Sequence, residues 1–412
     1  MSAPRAERPP RDPEPRRTPG SHVELRPGRD RSIAGRHPWV FSGAIASIGS
    51  SLEDGDVALI RSADGAPRGW GFVSLRSQIR VRMLTFDPGE PFDDSTLTAL
   101  IAGAIRRRPP SGAARLVHAE SDGLPGLVVD RYGDTVVFAI SSAGLERRAD
   151  AVARALGEHA PSRSLYERSD GDGRTQERLP PRSGLVAGAE PPELVPVPEA
   201  THDGGSVTLL VDVRRGHKTG GYLDQAESRR VVGALSRGAD VLNLFSYTGG
   251  FGLHAAAGGA SSVLEIDSSA PALAVAARAA AENGLGDRIA HRRADAFEAL
   301  RALEAEGRTF DVVVVDPPKL AAGAAHVARA SRAYKDLLRL SLRIVRPGGH
   351  VAGFSCSGAI SAALFQQIAW SAALEAPRDA AIVRRLGQPP DHPVLLTFPE
   401  SEYLKGLLLR VP

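Results

Sequence analysis

The chain has 412 residues, more than one ordinary core holds, so we expect two or three domains. Hydrophobic residues make up 42% of the sequence and the formal net charge is +3, values that are typical of a globular protein and only weakly suggest an anionic partner. The sequence has no apolar run long enough for a membrane span, no apolar segment of a secretory signal near its start, and one cysteine, which excludes an internal disulfide. We therefore expect a cytoplasmic protein without membrane association, and we assign it no metal site.

The N-terminal part predicts a tail followed by a small β domain. Residues 1–20 are rich in proline and arginine, so we expect a disordered tail whose role stays open. Residues 21–94 contain short strands separated by turn residues, which predicts a β-barrel-like domain. The predicted strands are VELRP, WVFSGAI, DVALI, GWGFVS and IRVRMLTF. In the last of them Arg80 and Arg82 share one face, because side chains alternate along a strand. That face is either simply solvated or a contact for phosphate groups.

Residues 95–200 predict a second, small α/β domain. The segments TLTALIAGAIRRR and ADAVARALGEHA have the apolar spacing of helices, and a hairpin-rich pair of strands lies between them. The polar, proline-bearing stretch 170–182 predicts a loop.

Residues 201–412 change in character, because β-branched apolar runs now alternate with alanine-rich helices. Strands that are apolar at consecutive positions are buried on both faces, as in a parallel sheet covered by helices. This alternation predicts a Rossmann-like domain and places the chain in the α/β class.

A glycine-bearing turn, in VLNLFSYTGGFG, follows the first of these strands. Glycines let the backbone approach a ligand at the carboxyl end of a strand. The next strand ends in Asp267, which can accept both hydroxyls of a ribose, and Asp295 is placed to meet an adenine amino group. A dinucleotide site needs G-x-G-x-x-G, which this turn lacks, and a fold without a nucleotide is the other alternative. The pattern favours S-adenosylmethionine, bound by Asn243, Tyr247, Thr248, Gly249, Gly250, Gly252, Asp267 and Asp295.

The buried strand FDVVVVD runs into Asp316, Pro317, Pro318 and Lys319. Consecutive prolines end the strand and stiffen the loop, which holds Asp316 at the strand end. Enzymes that methylate exocyclic amines often carry Asn-Pro-Pro and an aromatic residue at this place, so the Asp and Lys argue against an amine target. We assign Asp316 to catalysis, and Pro317, Pro318 and Lys319 to substrate binding.

The single cysteine, Cys356, follows another predicted strand of the same sheet. An inert buried cysteine is the ordinary explanation, but the small polar neighbours Ser355, Ser357 and Gly358 are typical of an open strand end. A thiolate at this place would serve methylation of cytosine C5. Its addition to C6 makes C5 nucleophilic, and loss of the C5 proton later expels the cysteine. Asp316 is the candidate for a hydrogen bond or proton at N3.

Arginine supplies almost all the positive charge, since only four of the 51 basic residues are lysine. A retained lysine indicates a site that needs a compact ammonium, although a GC-rich genome also explains the bias. The four are Lys218, Lys319, Lys335 and Lys405. Of these we assign Lys218, like Lys319, to substrate binding.

These segments together resemble the bacterial large-subunit (23S) ribosomal RNA cytosine-C5 methyltransferases that carry an N-terminal PUA domain. The resemblance runs from about residue 22 to the C-terminus and includes GRHPWVFSGAI, AESDGLPGLVVDRYGD, LYERSD, GHKTGGYLDQAESR, NLFSYTGGFG, DPPK, SRAYKDL, FSCSG and DHPVLLTFPESEYLKG. It implies a PUA domain, a central α/β domain, a C-terminal Rossmann-like methyltransferase domain and an RNA partner. It also implies that Cys356 is the nucleophile and that Gln225 helps to line the cofactor and base pocket.

The resemblance leaves several points open. The tail and the loop DGDGRTQERLPPRSG depart from the family pattern, so the RNA site is not fixed; Arg80 and Arg82 are candidate contacts. A guanine or amine methyltransferase of the same fold is one alternative, although that branch tends to carry asparagines at the Ser-Cys-Ser positions. A non-catalytic RNA-binding ribosome-assembly factor is the other. The sequence does not identify the target nucleotide, the C5 proton acceptor (His392, Glu402, Lys405 or water) or the oligomeric state, and a homodimer is left open. The expected divisions are 1–20, 21–94, 95–200 and 201–412.

Overall fold

The structure, a computed structural model, describes residues 16–108 and 111–412 and confirms the predicted α/β class. Residues 1–15 of the expected tail lie outside the described residues. The expectation of disorder is wrong for the next three residues, because β1 (Arg16–Thr18) pairs in parallel with β4 (Ile45–Gly49). Backbone pairing at a sheet edge needs no apolar side-chain pattern, so it is not predictable from the sequence.

The N-terminal sheet has seven strands in the order β1-β4-β2-β5-β6-β7-β3. Its remaining elements are β2 (His22–Leu25), α1 (Arg31–Ala34), β3 (Trp39–Phe41), β5 (Val57–Arg61), β6 (Pro67–Val73) and β7 (Ile79–Thr85). The segment WVFSGAI, predicted to be one strand, is divided between β3 and β4 by a 3-10 turn at Ser42–Ala44. The division lets β3 pair with β7 at one end of the sheet while β4 pairs with β1 and β2 at the other.

The central sheet has five strands in the order β12-β11-β10-β9-β8. Its elements are α2 (Asp94–Arg106), β8 (Ala113–His118), β9 (Leu127–Tyr132), β10 (Thr135–Ile140), α3 (Ala143–Glu146), α4 (Ala149–His159), β11 (Ser164–Ser169), α5 (Asp172–Glu177) and β12 (Arg182–Gly188). The two predicted helices are α2 and α4, and both bury apolar side chains in the same core as the sheet.

Helix α5 lies inside the stretch 170–182, which the sequence predicted to be a loop. Arg174 of this helix is buried and donates hydrogen bonds to the Ile140 carbonyl and to Glu146. Glu177 is also buried and accepts a hydrogen bond from Arg82 in the N-terminal sheet. Partners this distant along the chain fix the helix, and local apolar spacing carries no signal of them.

A hairpin of β13 (Val195–Ala200) and β14 (Ser206–Val211) connects the central and C-terminal parts, and the expected division after residue 200 falls inside it. The C-terminal sheet has seven strands in the order β17-β16-β15-β18-β19-β21-β20. Its elements are α6 (Ala226–Ala234), β15 (Asp240–Leu244), α7 (Gly250–Ala257), β16 (Ser262–Asp267), α8 (Ala270–Glu282), β17 (Ile289–Arg293), α9 (Ala296–Ala305), β18 (Phe310–Val315), α10 (Val327–Ile344), β19 (Val345–Ser355), α11 (Ala362–Glu375), β20 (Ala381–Gly387) and β21 (Lys405–Arg410).

The strand order reverses between β15 and β18, which are adjacent and parallel. Ligands of open α/β sheets bind in the crevice at such a reversal, beyond the carboxyl ends of the strands. Val315, the last residue of β18, pairs with Gly353 of the parallel strand β19. Asp316 and Cys356 therefore leave neighbouring strands at this edge, next to the glycine turn that follows β15.

Candidate active site

The turn between β15 and α7 has a strained backbone. Phe245 and Tyr247 have φ angles of 58° and 50°, and Gly249 has 79°. The left-handed region is costly for residues other than glycine, and such residues cluster at ligand sites. At Gly252 an added Cβ atom would lie 2.0 Å from Glu265 Oε1. A glycine is needed there because a buried carboxylate occupies the space below the turn.

Glu265 is the residue of this region that the sequence analysis missed. It lies on β16 two positions before Asp267 and is 1% exposed. Its Oε1 accepts a hydrogen bond from Asn243 Nδ2 at 3.3 Å, and its Oε2 lies 3.2 Å from His291 Nε2. The available signal was the acidic pair in SSVLEID, whose spacing of two places both side chains on one face of the strand.

Asp267 and Asp295 both bond to backbone N–H groups of their own region. Asp267 accepts from the N–H groups of Tyr247 and Ser269, each at 2.8 Å. Asp267 thus ties the end of β16 to the glycine turn. Asp295 is exposed, and its Oδ1 accepts from Phe297 and from the next residue as the N-cap of α9. Capping by itself accounts for an aspartate at that place, so contact with adenine stays a prediction.

The turn fits the expected S-adenosylmethionine. In the described part of the chain, the buried atoms Asn243 Oδ1 and Ser246 Oγ have no hydrogen-bond partner. Buried polar atoms are normally satisfied, so these two indicate a polar ligand. Thr248 and Gly249 lead into α7, which begins at Gly250, and the first N–H groups of a helix lack partners within it. Orphaned acceptors and donors therefore line the same turn.

Asp316 lies at the end of β18 and accepts a hydrogen bond from Gln225 Nε2 at 2.8 Å. Asp224, next to this glutamine, is buried and accepts from Lys218 Nζ and, at 2.7 Å, from the Tyr403 hydroxyl. The structure thus brings Gln225 and Lys218, which are distant from Asp316 in sequence, to one place. Asp224 and Tyr403 are members of this group that the sequence analysis did not identify.

Burial and the charge of Asp224 raise the pKa of Asp316 to about 7. Burial also disfavours the charged form of Asp224, but the Lys218 ammonium, His392 and the Tyr403 hydroxyl together hold the pKa of Asp224 well below its usual range. For Cys356, burial and then Asp316 raise the pKa of the thiol, and Lys218 opposes the rise. Ionisation of the thiol is therefore easier when Asp316 is protonated.

Cys356 lies between two serines that fix its backbone. Ser355 Oγ donates to the Tyr334 hydroxyl at 3.0 Å, and Ser357 Oγ lies 3.1 Å from the same hydroxyl. Both serines are fully buried, so the predicted open strand end is wrong at these two positions, although Gly358 is exposed. They are small and polar because they pack against and bond to α10. Cys356 itself is half-buried.

Aromatic rings lie beside this group. His217 stacks on Tyr247 with 4.6 Å between ring centroids and 14° between planes. Lys218 Nζ lies 4.5 Å from the ring centroid of Tyr222, which meets Tyr247 edge to face. Ring faces beside an ammonium are a surface on which an unstacked nucleobase can bind.

The predicted phosphate contact of Arg82 stays a prediction, one that the surroundings of this residue do not favour. Arg82 is 7% exposed, and its guanidinium forms ion pairs with Glu120 at 2.9 Å and Glu177 at 3.0 Å. Arg80 is half-buried and donates to the carbonyl of Leu75 in its own sheet, so neither arginine belongs to a solvated strand face. The alternation of side chains showed which residues share a face but not that another domain covers it.

Pro317 is buried, whereas Pro318 and Lys319 are exposed beyond Asp316, so their assignment to substrate binding stays a prediction. Across residues 16–108 and 111–412, no helix is long and apolar enough to cross a membrane. The same residues contain no group of three or more His, Cys, Asp or Glu residues able to hold a metal ion.

Comparisons with known proteins show which families and relatives this chain is similar to. A family described as S-adenosylmethionine-dependent methyltransferase matches residues 190–410, and one described as a PUA-like domain matches residues 23–86. The ribosomal RNA large subunit methyltransferase I of Shewanella amazonensis is 43% identical over 94% of this chain and 99% of its own length. The protein of that name from Aeromonas hydrophila is 43% identical over 94% and 98%.

Solved structures share the fold. A Streptococcus mutans structure described as a SAM-dependent methyltransferase has a TM-score of 0.80 at 20% identity, over 95% of this chain and all of that one. A methyltransferase structure complexed with SAH also has a TM-score of 0.80 at 20% identity, over 96% of this chain. At this identity the likeness concerns the fold alone.

Proposed function

The chain belongs to the S-adenosylmethionine-dependent methyltransferases of the ribosomal RNA large subunit methyltransferase I family, and from this premise we propose that it methylates C5 of a cytosine in large-subunit (23S) ribosomal RNA. The cofactor supplies the methyl group. The proposal rests on one observation above all. Cys356 and Asp316 leave adjacent parallel strands at the same edge of the sheet, beside the turn that fits the cofactor.

Cytosine C5 is a weak nucleophile, and Cys356 is proposed to activate it. The thiolate adds to C6, which forms a C–S bond and makes C5 enamine-like. C5 can then take the methyl group of a sulfonium, whose S–C bond breaks to leave a neutral thioether. Loss of the C5 proton to a base then returns the electron pair, breaks the C–S bond and restores the aromatic ring. Covalent addition divides one difficult substitution into easier steps.

Asp316 is proposed to support the addition at the far side of the ring. Because its pKa is about 7, a large share of the carboxyl is protonated at neutral pH and can donate to N3 of the base. Donation at N3 withdraws electrons from C6 and stabilises the negative charge that the addition creates. The bond from Gln225 fixes the carboxyl for this task.

The test is a comparison of Cys356→Ser with the wild-type chain. Serine keeps the shape but lacks a group that ionises usefully at neutral pH, so methyl transfer should fall by several orders of magnitude. Cofactor affinity, measured by calorimetry, should stay within about twofold because the glycine turn is unchanged. Mass spectrometry of the RNA product identifies the methylated atom.

RNA that contains 5-fluorocytosine separates covalent from non-covalent chemistry. Fluorine at C5 blocks the final elimination, so the wild-type enzyme should be trapped as an adduct that survives denaturing electrophoresis, and Cys356→Ser should form none. A serine variant that methylates C5 at near wild-type speed contradicts the mechanism. Methylation at a guanine or an exocyclic amine contradicts the proposed target instead.

We further propose that the chain divides into domains at about residues 94 and 200 and acts in the cytoplasm. The cofactor is proposed to contact Asn243, Tyr247, Gly252 and Asp267. The homodimer also stays a prediction, which sedimentation of the whole chain checks.

A further inference from the structure

Lys405 is a buried ammonium at the edge of the active site. It begins β21 and pairs with Ser355, one residue before the proposed nucleophile. The residue is 8% exposed, and its Nζ donates a hydrogen bond to the carbonyl of Ser357 at 2.9 Å, one residue after the nucleophile. The backbone of Lys405 thus pairs with the residue before Cys356, and its ammonium bonds to the residue after it.

A buried charge is costly unless an opposite charge compensates it. Lys218 and Lys335 each have a carboxylate oxygen at 2.5 Å. Among the residues that the structure describes, no carboxylate lies within ion-pair distance of Lys405. The carbonyl of Ser357 is a dipole and accepts one of the three N–H groups, so it compensates only part of the charge.

The group that can supply the missing negative charge is the Cys356 thiolate. Burial lowers the pKa of Lys405, and the negative charge of Cys356 acts in the opposite direction, with a further contribution from Glu402. The other titratable groups that act on or are affected by the thiol are Asp316, Asp224, Lys218, Tyr222 and Tyr334. Of the two ammonium groups among all these, Lys218 already has Asp224 as its partner.

A protonated Asp316 leaves this pocket with one uncompensated cation. Lys218 and Asp224 then offset each other and both tyrosines are neutral. Glu402 acts on Lys405 from beyond ion-pair distance, so Lys405 has no counter-ion in contact until the thiol ionises. We propose that Lys405 is the counter-cation of the Cys356 thiolate, a positioning residue that is held by the Ser357 carbonyl and stabilises the ionised nucleophile. The inference rests on the proposed role of Cys356, but it is a statement about the thiol and is measurable without RNA.

The sequence allows an unusually clean experiment, because Cys356 is the only cysteine in the chain. Ultraviolet absorbance of the thiolate against pH, together with the pH dependence of alkylation, therefore reports one group. Lys405→Met removes the charge and keeps an apolar chain of similar length. We expect the apparent pKa of Cys356 to rise by about one unit or more, which is about a tenfold smaller thiolate fraction below that pKa.

Two matched variants complete the set. Lys405→Arg keeps a positive charge and should restore most of the thiolate. Lys335→Met removes a lysine on α10 that pairs with Glu375 outside the pocket, and it should leave the titration of Cys356 unchanged. Cofactor binding and thermal unfolding show that each variant is folded.

A reciprocal measurement covers the case in which Lys405→Met does not fold. With lysine labelled at the ε-carbon, the four lysines of the chain give few signals, and Lys405 can be titrated by NMR in the wild type and in Cys356→Ser. Coupling between two sites is mutual, so loss of the thiolate should lower the pKa of Lys405.

An unchanged thiol titration in a folded Lys405→Met, or an unchanged Lys405 titration in Cys356→Ser, overturns the counter-cation role. Lost methylation with an unchanged thiol pKa also overturns it and leaves Lys405 as a candidate C5 proton acceptor. A shifted thiol pKa in an enzyme that never forms the 5-fluorocytosine adduct supports the ion pair while it contradicts the proposed function.

Discussion

At the scale of single residues, Asp316 is a group whose catalytic protonation state lowers the stability of the folded protein. The carboxyl is held beside the ionised Asp224, and among the described residues Gln225 alone donates a side-chain hydrogen bond that favours its charged form. An unfolded chain would ionise the same group near pH 3.8. The fold therefore keeps a proton on Asp316 at a cost to its own stability, as is common for functional groups.

Asp316→Asn should stabilise the protein at high pH while it abolishes most activity. Between pH 3.8 and about 7 the folded chain binds more protons at Asp316 than the unfolded chain does, so the free energy of unfolding falls as pH rises through this window. In the asparagine variant the free energy of unfolding does not fall with pH for this reason, because asparagine does not ionise. At pH 8 it should be more stable than the wild type by roughly 2–4 kcal/mol, and near pH 4 the two should be equal.

Urea unfolding at several pH values measures this difference. Asp287→Asn, at an exposed carboxylate of the same domain, is the control and should parallel the wild type. An Asp316→Asn protein whose stability also parallels the wild type from pH 4 to pH 8 would show that the carboxyl is not held protonated.

At the scale of elements, the crossing from β15 to α7 depends on the absence of side chains. Gly252 lies within α7, where alanine normally increases stability by about 1 kcal/mol. Its added Cβ would meet Glu265 Oε1 at 2.0 Å and Cδ at 2.8 Å. The glutamate is buried and bonded to Asn243, so it has little room to move.

Gly252→Ala should therefore lower the free energy of unfolding by about 1–3 kcal/mol, as in other overpacked sites, and weaken cofactor binding at least about tenfold. Gly157→Ala is the matched control, because Gly157 lies in α4 and nothing lies within 4 Å of its added Cβ. That variant should gain roughly 0.5–1 kcal/mol. Chemical unfolding and calorimetry check both, and equal behaviour of the two alanines would refute the packing argument.

The sequence predicted well those elements that can be recognised from the pattern of consecutive residues within the element itself. The buried runs VLNLF and FDVVVVD are β15 and β18, because a parallel strand covered on both faces must be apolar throughout. Helix α5 was not predicted, because Arg174 and Glu177 are fixed by partners elsewhere in the chain.

The candidate site divides in the same way. Asp316 and Cys356 stood out because each directly follows a recognisable strand, and strand ends of one sheet meet. Glu265 had only the weak signal of its spacing from Asp267, and Asp224 had none, because a buried acid just before a regular element has no distinctive local pattern. Lys405 had a weak signal, the scarcity of lysine, but its distance from the thiol depends on the pairing of β21 with β19.

At the scale of the whole molecule, ion pairs and ring contacts join the N-terminal sheet to the central and C-terminal parts. Arg82 of the N-terminal sheet pairs with Glu120 and Glu177 of the central part. Trp39 packs edge-on against Phe398 of the C-terminal part, with 4.6 Å between ring centroids. Contacts of this kind hold the PUA-like domain against the rest of the protein, so we expect these residues to make no contact with RNA.

Arg82→Met tests that conclusion. The change leaves Glu120 and Glu177 without their buried cation, which typically costs about 3–5 kcal/mol, so the variant should unfold at clearly lower urea concentration. In the folded variant, RNA affinity should depend on salt concentration as it does in the wild type. Loss of a phosphate contact would instead reduce the slope of log affinity against log salt concentration by about one. Arg76→Met is the control. Arg76 pairs with Asp54 in the same N-terminal domain, its side chain is 57% exposed, and the change should alter stability by about 0–1 kcal/mol. If Arg82→Met is as stable as Arg76→Met and lowers the salt slope instead, Arg82 contacts RNA, and the two glutamates are not its partners in solution.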